Sequence, residues 1–260
     1  MTHAKVDGGE LHYRVEGVPD RPALVLSNSL GTDLAMWEPQ LDALLAQFRV
    51  VRYDTRGHGR SLVTPGPYSI GELGRDVVAL LDHLGIGRAA FCGLSLGGIV
   101  GQWLGAHAPS RVSKLVLCNT APKIGTPDVW NARIATVEAK GMGAISDALV
   151  GRWFTPGFVE RDPATIARMK AMLERQPARG YIAACAAVRD ADLREDIARI
   201  AAPTLVVAGT HDPVTTPADA SFMASRIRNA RVAELAASHL SNIEAADAFT
   251  AALLDFLHTP

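Results

Sequence analysis

The chain has 260 residues, of which 48% are hydrophobic and 20% are charged; this is enough apolar sequence for the core of one catalytic domain and argues against disorder. The formal net charge of -1, with acidic and basic residues interspersed, excludes the basic surface that binding to nucleic acid or to an anionic membrane requires. A small-molecule partner is therefore expected. The polar start lacks the features of a secretory signal, which predicts a cytoplasmic protein, and the sequence does not indicate its oligomeric state.

The predicted elements begin with two antiparallel edge strands in residues 3–16, joined around Gly8 and Gly9. Apolar runs then predict buried strands at 23–27, 49–54, 89–93, 114–118, 204–209 and 230–235. Helical spacing predicts helices near 36–47, 70–84, 96–108, 217–227 and 242–257. This alternation is typical of an α/β fold, here a mostly parallel eight-stranded sheet with helices on both faces.

The regular alternation stops in residues 122–201. This segment is rich in Ala, Arg, Met and aromatic residues, has helical spacing and is interrupted by Pro and Gly. It predicts a helical cap inserted over the carboxyl ends of the strands, where ligands bind in open α/β sheets. The expected core domain is then formed by residues 1–121 and 202–260.

Residues 89–108 contain no Asp, Glu, Lys or Arg and are long enough to span a bilayer. The segment also contains five glycines, at 93, 97, 98, 101 and 105. Because so many glycines disfavour one continuous helix, we predict a buried strand, a sharp turn and a buried helix rather than a membrane span.

The strongest motif is Gly93-Leu94-Ser95-Leu96-Gly97, a G-x-S-x-G pentapeptide between a predicted strand and a predicted helix. The serine at such a turn has a strained backbone, and the flanking glycines are needed because a Cβ would collide with the neighbouring strand and helix. The turn exposes the hydroxyl beside the helix amino terminus, whose N–H groups favour negative charge. Ser95 is therefore the candidate nucleophile; a serine that only caps the helix is the alternative.

A serine hydroxyl needs a general base and a group that orients the base, because it is a weak nucleophile at neutral pH. With this turn the partners follow in the order serine, acid, histidine, each on a loop after a later strand. Asp212 and His239 follow the last two predicted strands and are the candidate acid and base. Of the eight histidines, His239 alone stands after a late core strand in this order. Asp219 and Glu244 are rival acids.

Negative charge that develops on the attacked carbonyl oxygen needs two backbone N–H donors, each worth roughly 100- to 1000-fold in turnover. The first predicted donor is Leu96, which follows the nucleophile. The second is Leu30, in the loop after strand 23–27, by its spacing from Trp37. In this loop Asn28-Ser29 replaces the usual His-Gly dipeptide, so the second donor departs from the common pattern.

The other motifs do not predict a cofactor or a metal. Residues 54–61 lack the Lys-Ser/Thr end of a nucleotide-binding loop; we expect them to brace the nucleophile region, with His58 as a hydrogen-bonding residue. No G-x-G-x-x-G dinucleotide motif is present. The three cysteines have neither metal-ligand nor disulfide spacing and are expected to be reduced and mostly buried.

Taken together, the turn, the acid loop and the histidine loop resemble the α/β-hydrolase superfamily along nearly the whole chain. Within it, the sequence is most similar to the 3-oxoadipate enol-lactonases. The segments that carry this resemblance are 26–32, 118–125, 130–134, 152–155 and 190–193. The unusual Asn28-Ser29 dipeptide also looks like these lactonases.

This resemblance implies a serine hydrolase that opens a five-membered enol-lactone with an acetate arm, giving 3-oxoadipate in bacterial aromatic breakdown by the β-ketoadipate route. Such a lactone carries a free carboxylate, which a planar guanidinium binds through two hydrogen bonds. Arg133 is the first candidate for this contact and Arg152 the second. Trp130 and Trp153 are predicted to wall the pocket. Solvated arginines and core tryptophans are the alternative interpretations.

Two further alternatives concern function. Carboxylesterases, arylesterases with perhydrolase side activity and carbon–carbon bond hydrolases share the fold and differ in substrate. A ligand receptor that keeps the three residues but turns over slowly is an alternative of another class. A haloalkane dehalogenase is disfavoured, because its nucleophile is an aspartate where this chain has Ser95.

Overall fold

A computed structural model describes residues 2–259, and within them the chain forms one eight-stranded sheet. The strands are β1 (His3–Val6), β2 (Gly9–Glu16), β3 (Ala23–Ser27), β4 (Arg49–Tyr53), β5 (Ala89–Leu94), β6 (Val112–Cys118), β7 (Thr204–Gly209) and β8 (Ala230–Leu235). Their order is β1-β2-β4-β3-β5-β6-β7-β8. The β1/β2 and β2/β4 pairs are antiparallel and all others are parallel. The predicted sheet and its antiparallel edge are therefore confirmed.

Eleven α-helices connect or cover the strands of residues 2–259. They are α1 (Leu41–Leu45), α2 (Ile70–His83), α3 (Leu96–His107), α4 (Pro127–Lys140), α5 (Gly143–Trp153), α6 (Pro156–Arg161), α7 (Pro163–Glu174), α8 (Ala178–Asp190), α9 (Pro217–Arg226), α10 (Ser241–Glu244) and α11 (Ala246–His258). Shorter 3-10 helices span Leu34–Gln40, Pro109–Arg111 and Asp196–Arg199.

Two predicted helices differ from the observed ones. The helix expected at 36–47 is a 3-10 helix over Leu34–Gln40 followed by the single turn α1. Pro39 lies inside the 3-10 part and has no N–H for an α-helical hydrogen bond. The helix expected at 242–257 is divided into α10 and α11 by Ala245, whose φ of -120° and ψ of 49° are not helical.

Helices cover the sheet on both faces. Strands β5 and β7 are buried at every position, and neighbouring residues of a strand point to opposite faces. Helix α3 packs on β5 and β6, and α9 packs on β7 and β8. The fully buried side chains include Trp37, Phe91 and Phe249. Each such side chain contributes about 1.5–3 kcal/mol by leaving water. The predicted fold class is confirmed.

The chain leaves the sheet after β6 and returns to it at β7. Helices α4 to α8 form this excursion, within residues 122–201, and α4 packs against α8 while α5 packs against α7. We call these five helices the cap. That residues 122–201 are a domain separate from 1–121 and 202–260 stays a prediction.

The apolar segment 89–108 forms β5, the turn at Ser95 and α3. Helix α3 has 12 residues and is about 18 Å long, short of the roughly 30 Å of a bilayer core. Among the helices of residues 2–259, none combines the length and the apolar character needed to cross a membrane.

Candidate active site

Ser95 lies at a sharp turn between β5 and α3. Its φ of 56° and ψ of -112° place a residue with a side chain in a region that glycine prefers, at a cost of about 1–3 kcal/mol. Two hydrogen bonds hold the turn: Ser95 N–H donates to the Cys118 carbonyl (2.9 Å), and Thr120 Oγ1 donates to the Ser95 carbonyl (2.8 Å). The strain keeps the Ser95 side chain at the carboxyl end of the sheet.

The glycines around Ser95 are required by close backbone contacts. A Cβ on Gly93 would overlap the Gly97 carbonyl, and a Cβ on Gly97 would overlap the Ser27 carbonyl of β3. Because the colliding atoms belong to the backbone, they cannot move aside as a flexible side chain would. These are the collisions that the G-x-S-x-G motif predicted for any residue other than glycine at these two positions.

His239 lies in the loop after β8 and is hydrogen bonded to Asp212, from the loop after β7. The distance from His239 Nδ1 to Asp212 Oδ2 is 2.8 Å. Ser95 and His239 line the same cavity. The hydrogen bonds of residues 2–259 do not include one between the Ser95 hydroxyl and His239; in free enzymes such bonds are often long and tighten when substrate binds.

The two rival carboxylates have other partners. Asp219 caps α9, where its carboxylate accepts from Thr216 N–H (2.7 Å). Glu244 accepts from Ser238 N–H (2.8 Å) and from the Thr155 backbone and hydroxyl. In the geometry, Asp212 is thus the carboxylate in contact with His239.

Asp212 is buried, yet its carboxylate is held in the charged form. Burial pushes its pKa up, but the His239 charge and hydrogen bonds from His239, Asn119 and Thr215 together hold the pKa below its usual value. Thr215 donates from its hydroxyl at 2.7 Å and from its N–H at 3.1 Å, and Val214 N–H donates at 2.7 Å. A charged Asp212 orients His239 with Nδ1–H towards it, which leaves Nε2 free to accept a proton.

Asn119 was not singled out as a site residue by the sequence. It directly follows β6, has a positive φ of 44°, and donates from Nδ2 to Asp212 Oδ2 (3.1 Å) and to the Ser238 carbonyl (3.2 Å). Ser241 donates to its side-chain oxygen. Asn119 thereby joins the acid loop to the histidine loop. Asn119 could have been predicted from its position directly after a strand, which it shares with Ser95 and with the loop of Asp212.

Residues 152–155 of the cap are hydrogen bonded to the histidine loop. Ser238 Oγ donates to the Arg152 carbonyl (2.8 Å), and Leu240 N–H donates to the Trp153 carbonyl (3.0 Å). Glu244 adds its bonds to Thr155 and Ser238. The loop that carries His239 is therefore fixed by the cap as well as by the core.

Leu30 and Leu96 are the two predicted backbone donors to an oxyanion. Within residues 2–259 neither N–H group donates to a protein acceptor, and the N–H of Leu96, at the start of α3, has no partner inside the helix. The loop of Leu30 is joined to the turn of Ser95 by a bond from Gly97 N–H to the Asn28 carbonyl (3.0 Å). Leu30 lines the cavity of Ser95 and Leu96 follows Ser95 in the chain, so both stay the predicted donors to a developing negative charge.

The Asn28 side chain explains the replacement of the His-Gly dipeptide. Its Nδ2 donates to the Tyr53 carbonyl (2.7 Å), and its Oδ1 accepts from Trp37 Nε1 (3.0 Å). Asn28 is fully buried, so both bonds are formed away from water. The side chain fastens the Leu30 loop to β4 and to the 3-10 helix.

His58 is a hydrogen-bonding residue, as predicted, and it supports the Leu30 loop, which is itself joined to the Ser95 turn. Its Nε2 accepts from Gly31 N–H (3.0 Å), and its Nδ1 lies 3.2 Å from the Arg56 carbonyl. These partners require a neutral ring with the proton on Nδ1. Burial lowers the pKa of His58, which favours this neutral form.

Replacement of His58 by glutamine is expected to reduce the loss of stability in acid, because glutamine can accept from Gly31 but cannot gain a proton. With the folded pKa of His58 depressed, the unfolded state takes up that proton first as the pH falls. The contribution of His58 to stability is complete above the unfolded pKa of about 6.5 and is lost as the pH falls towards the folded value. Urea unfolding from pH 7.5 downwards measures this loss.

The matched control is His258→Gln, at an exposed histidine near the carboxyl terminus, for which the wild-type pH dependence is expected. A His58→Gln protein that loses unfolding free energy as steeply as wild type below about pH 6.5 would contradict a neutral, buried His58.

The cavity in front of Ser95 is formed by the core and the cap together. Its lining residues are Ser29, Leu30, Ser95, Ile124, Trp130, Arg133, Leu149, Arg152, Trp153, Tyr181, Val188, Val214 and His239. The free space is about 30 Å³, room for about one or two water molecules. Side chains of the cap must therefore shift before a larger ligand can enter.

The two candidate arginines differ in exposure. Arg133 of α4 is half-buried and stacks over the Trp130 ring at 4.6 Å from its centroid. Arg152 of α5 is exposed. Neither makes a salt bridge within residues 2–259. The cavity thus has two positive charges with no paired carboxylate, while Trp130 and Trp153 are both buried in its wall.

A larger surface groove of about 960 Å³ lies between the loop 63–67, α4 and α8. Neither Ser95 nor His239 lines it. This groove is larger than the cavity in front of Ser95, but its lining has no nucleophile beside a base. The smaller cavity is therefore the candidate active site.

The arrangement has the parts that acyl transfer requires: a hydroxyl and an imidazole in one cavity, a carboxylate behind the imidazole, and two free amides. The family model described as alpha/beta hydrolase fold matches residues 22–246. The 3-oxoadipate enol-lactonase 2 of Acinetobacter baylyi is 46% identical over 243 residues, covering 94% of this chain and 91% of that relative.

Two solved structures are also similar to this chain. The enol-lactonase from Burkholderia xenovorans LB400 has a TM-score of 0.98 and 49% identity, covering 99% of this chain and all of that one. A hydrolase from Pseudomonas aeruginosa PA01 has a TM-score of 0.96 and 48% identity, covering 99% of this chain and 98% of that one.

Proposed function

The chain belongs to the α/β-hydrolase fold family, and from this we propose that it hydrolyses the lactone ester of 3-oxoadipate enol-lactone to 3-oxoadipate. The relatives named as enol-lactonases support the substrate. We further propose that the reaction passes through an acyl-enzyme on Ser95, as a step in bacterial aromatic degradation by the β-ketoadipate route.

The charge of the cavity is the observation that carries the choice of substrate. Arg133 and Arg152 line the same cavity as Ser95 without a protein carboxylate to neutralise them. Arg133 is half-buried and Arg152 is exposed, and both guanidiniums are charged and can only donate hydrogen bonds. An anionic ligand that enters the cavity therefore meets two charged donors suited to a carboxylate. A lactone with a free carboxylate supplies both the ester that Ser95 attacks and the missing negative charge.

In the first half of the reaction, Ser95 Oγ attacks the lactone carbonyl carbon while His239 Nε2 takes the hydroxyl proton. The carbonyl oxygen becomes negatively charged and accepts hydrogen bonds from the amides of Leu30 and Leu96. The bond from this carbon to the ring oxygen then breaks, and His239 returns its proton to the enol oxygen. The ring is open, and the chain that carries the enol remains attached to Ser95 as its ester.

In the second half, water attacks the ester carbonyl and gives its proton to His239. The bond to Ser95 Oγ breaks, and His239 protonates that oxygen. The enol becomes the ketone, so the product is 3-oxoadipate. Asp212 stays charged throughout and stabilises the positive imidazole in each half.

The three cysteines support a proposed location in the cytoplasm. Cys92, Cys118 and Cys185 are all free and buried. Reduced thiols are typical of proteins in a reducing compartment.

Replacement of Arg133 by glutamine is expected to lower kcat/KM for the enol-lactone by about 10- to 100-fold, the value of a hydrogen bond to a charged group. The rate with p-nitrophenyl acetate, which has no carboxylate, should stay within about twofold. Initial rates on both substrates measure the difference. Arg179→Gln is the control, because it removes the same charge from an exposed position of α8 outside the cavity.

The same assays test the proposed function against its alternatives. A wild-type preference for neutral p-nitrophenyl esters over the lactone would favour an esterase or a perhydrolase, and a preference for carbon–carbon cleavage would favour that class of hydrolase. A single burst with no later turnover would indicate a slow receptor. Sustained turnover above about 1 per second is expected of an enzyme.

A further inference from the structure

The Tyr181 hydroxyl is a buried polar group that the protein leaves without a partner. Tyr181 lies in the first turn of α8, is fully buried, and its hydroxyl has no hydrogen-bond partner within residues 2–259. An unsatisfied buried hydroxyl costs about 1–3 kcal/mol, so such groups are rare unless they serve a ligand or a water. The same side chain lines the cavity of Ser95.

Packing fixes the Tyr181 ring between the cap and the Leu30 loop. The ring edge lies so close to Gly31 that a Cβ there would be 3.2 Å from Tyr181 Cε2. The ring also packs against His58, with centroids 6.4 Å apart and planes at 61°. With the ring held in place, the hydroxyl cannot turn away to find an acceptor elsewhere.

The neighbours of the hydroxyl are donors or very weak acceptors. Burial, and after it the adjacent Cys185 thiol, raise the pKa of Tyr181, and the charge and side-chain contact of Arg133 offset only part of this rise, so the phenol keeps its proton. Burial also raises the pKa of the adjacent Cys185 thiol to about 12, so that group is a neutral S–H. Arg133 has no acceptor atom at all. The O–H and the guanidinium are thus two adjacent donors that lack a strong acceptor.

We propose that Tyr181 and Arg133 together bind the carboxylate of the substrate, with the phenol donating to one oxygen and the guanidinium to the other. A carboxylate is the acceptor that suits two adjacent donors, one of them charged. The identity of the anion as the acetate arm of the lactone rests on the proposed function. The subsite itself requires only a small carboxylate ligand.

Tyr181→Phe removes the O–H and little else. Its KM for the enol-lactone is expected to rise at least about tenfold, with kcat changed less than about threefold, because the contact lies away from the reacting bond. Tyr68→Phe is the matched control: Tyr68 is also buried, but its hydroxyl donates to the Thr64 carbonyl (3.0 Å) and it does not line the cavity.

A second measurement separates this subsite from the proposed function. Adipate, a six-carbon dicarboxylate, is used as a competitive inhibitor of p-nitrophenyl acetate hydrolysis. The inhibition constant of adipate should rise at least about tenfold in Tyr181→Phe and in Arg133→Gln. In the double variant it should rise by less than the product of the two single-variant increases, because the two residues bind the same carboxylate. If wild type does not hydrolyse the lactone but these shifts appear, the proposed function fails and the subsite stands.

Thermal unfolding completes the test. Because the hydroxyl is unpaired, Tyr181→Phe should unfold at the wild-type temperature or above it. A variant that is destabilised or does not fold would show that the hydroxyl is bonded within the protein, and this would overturn the proposal. Unchanged adipate inhibition in a folded Tyr181→Phe protein would overturn it equally.

Discussion

Replacement of Ser95 by alanine is expected to lower kcat by about a million-fold, and His239→Ala should have a similar effect. Without the hydroxyl no acyl-enzyme forms, and without the imidazole the hydroxyl stays protonated and weakly nucleophilic. The double variant should lose little more than either single variant, because the two residues act as one unit. Steady-state rates on the lactone, measured at high enzyme concentration, test all three proteins.

Ser225→Ala is the control for the substitution. Ser225 is exposed on α9, and its hydroxyl donates only to the Phe222 carbonyl (2.7 Å). A Ser95→Ala protein that keeps more than about one hundredth of the wild-type kcat would exclude Ser95 as the nucleophile. Losses that multiply in the double variant would show that Ser95 and His239 act in separate steps.

Asp212→Asn is expected to lower kcat by about 10,000-fold with the fold intact. The amide that replaces the carboxylate would face Asn119 Nδ2, Thr215 and two backbone N–H groups, all of which donate to Asp212. The amide oxygen is therefore expected to face those donors and the NH₂ group to face His239. The NH₂ would donate to His239 Nδ1, so the ring proton would be on Nε2, and Nε2 could not accept the Ser95 proton. Circular dichroism checks the fold, and kcat reports the effect.

Asp219→Asn removes the same charge from the start of α9, seven residues along the chain. Asp219 is at position N3 of the helix, where its carboxylate accepts from the N-cap residue Thr216. Its replacement should lower stability by less than about 1 kcal/mol, by removing a negative charge from the helix amino terminus, and leave kcat nearly unchanged. If Asp219→Asn were the slower enzyme of the two, the assignment of the acid would have to be reversed.

Most inner strands were predictable because each is a short, largely apolar run, whereas the edge strand β8 is mostly exposed and contains Arg231 and Glu234. The predicted strands 23–27, 204–209 and 230–235 agree with β3, β7 and β8 at both ends. Strands buried on both faces leave this signal in the local sequence. Helix boundaries were less certain: the break at Ala245 leaves the apolar spacing around it intact, and only its backbone angles reveal it.

The meeting of Asp212 and His239 was predictable from topology. Parallel strands present their carboxyl ends at one edge of the sheet, so residues that follow neighbouring strands lie close together. The same argument applies to Asn119 after β6. It was not drawn from the sequence, because an asparagine after a strand is also a common turn residue.

The cap residues could not be assigned from the sequence. Whether Arg133, Arg152 or Tyr181 faces the cavity depends on how α4, α5 and α8 rotate and pack on one another, and no local pattern fixes that rotation. From the sequence, both arginines are candidates to bind the substrate carboxylate. The structure distinguishes them, because Arg133 is half-buried and Arg152 is exposed. Tyr181 carried no signal, since an unpaired hydroxyl is a property of its surroundings.

The insertion between β6 and β7 carries the proposed substrate-binding residues, whereas the core carries the proposed catalytic residues. Ser95, Asn119, Asp212 and His239 stand on loops of the sheet, whereas Arg133 and Tyr181 stand on helices of the excursion. If Arg133 and Tyr181 bind the substrate as proposed, mutations in α4 and α8 change which molecule is accepted and leave the proposed proton-transfer residues unaltered. Residues 152–155 are the exception, because they lie in the insertion and are also hydrogen bonded to the loop that carries His239. Substitutions in this short stretch are therefore expected to affect both substrate binding and catalysis.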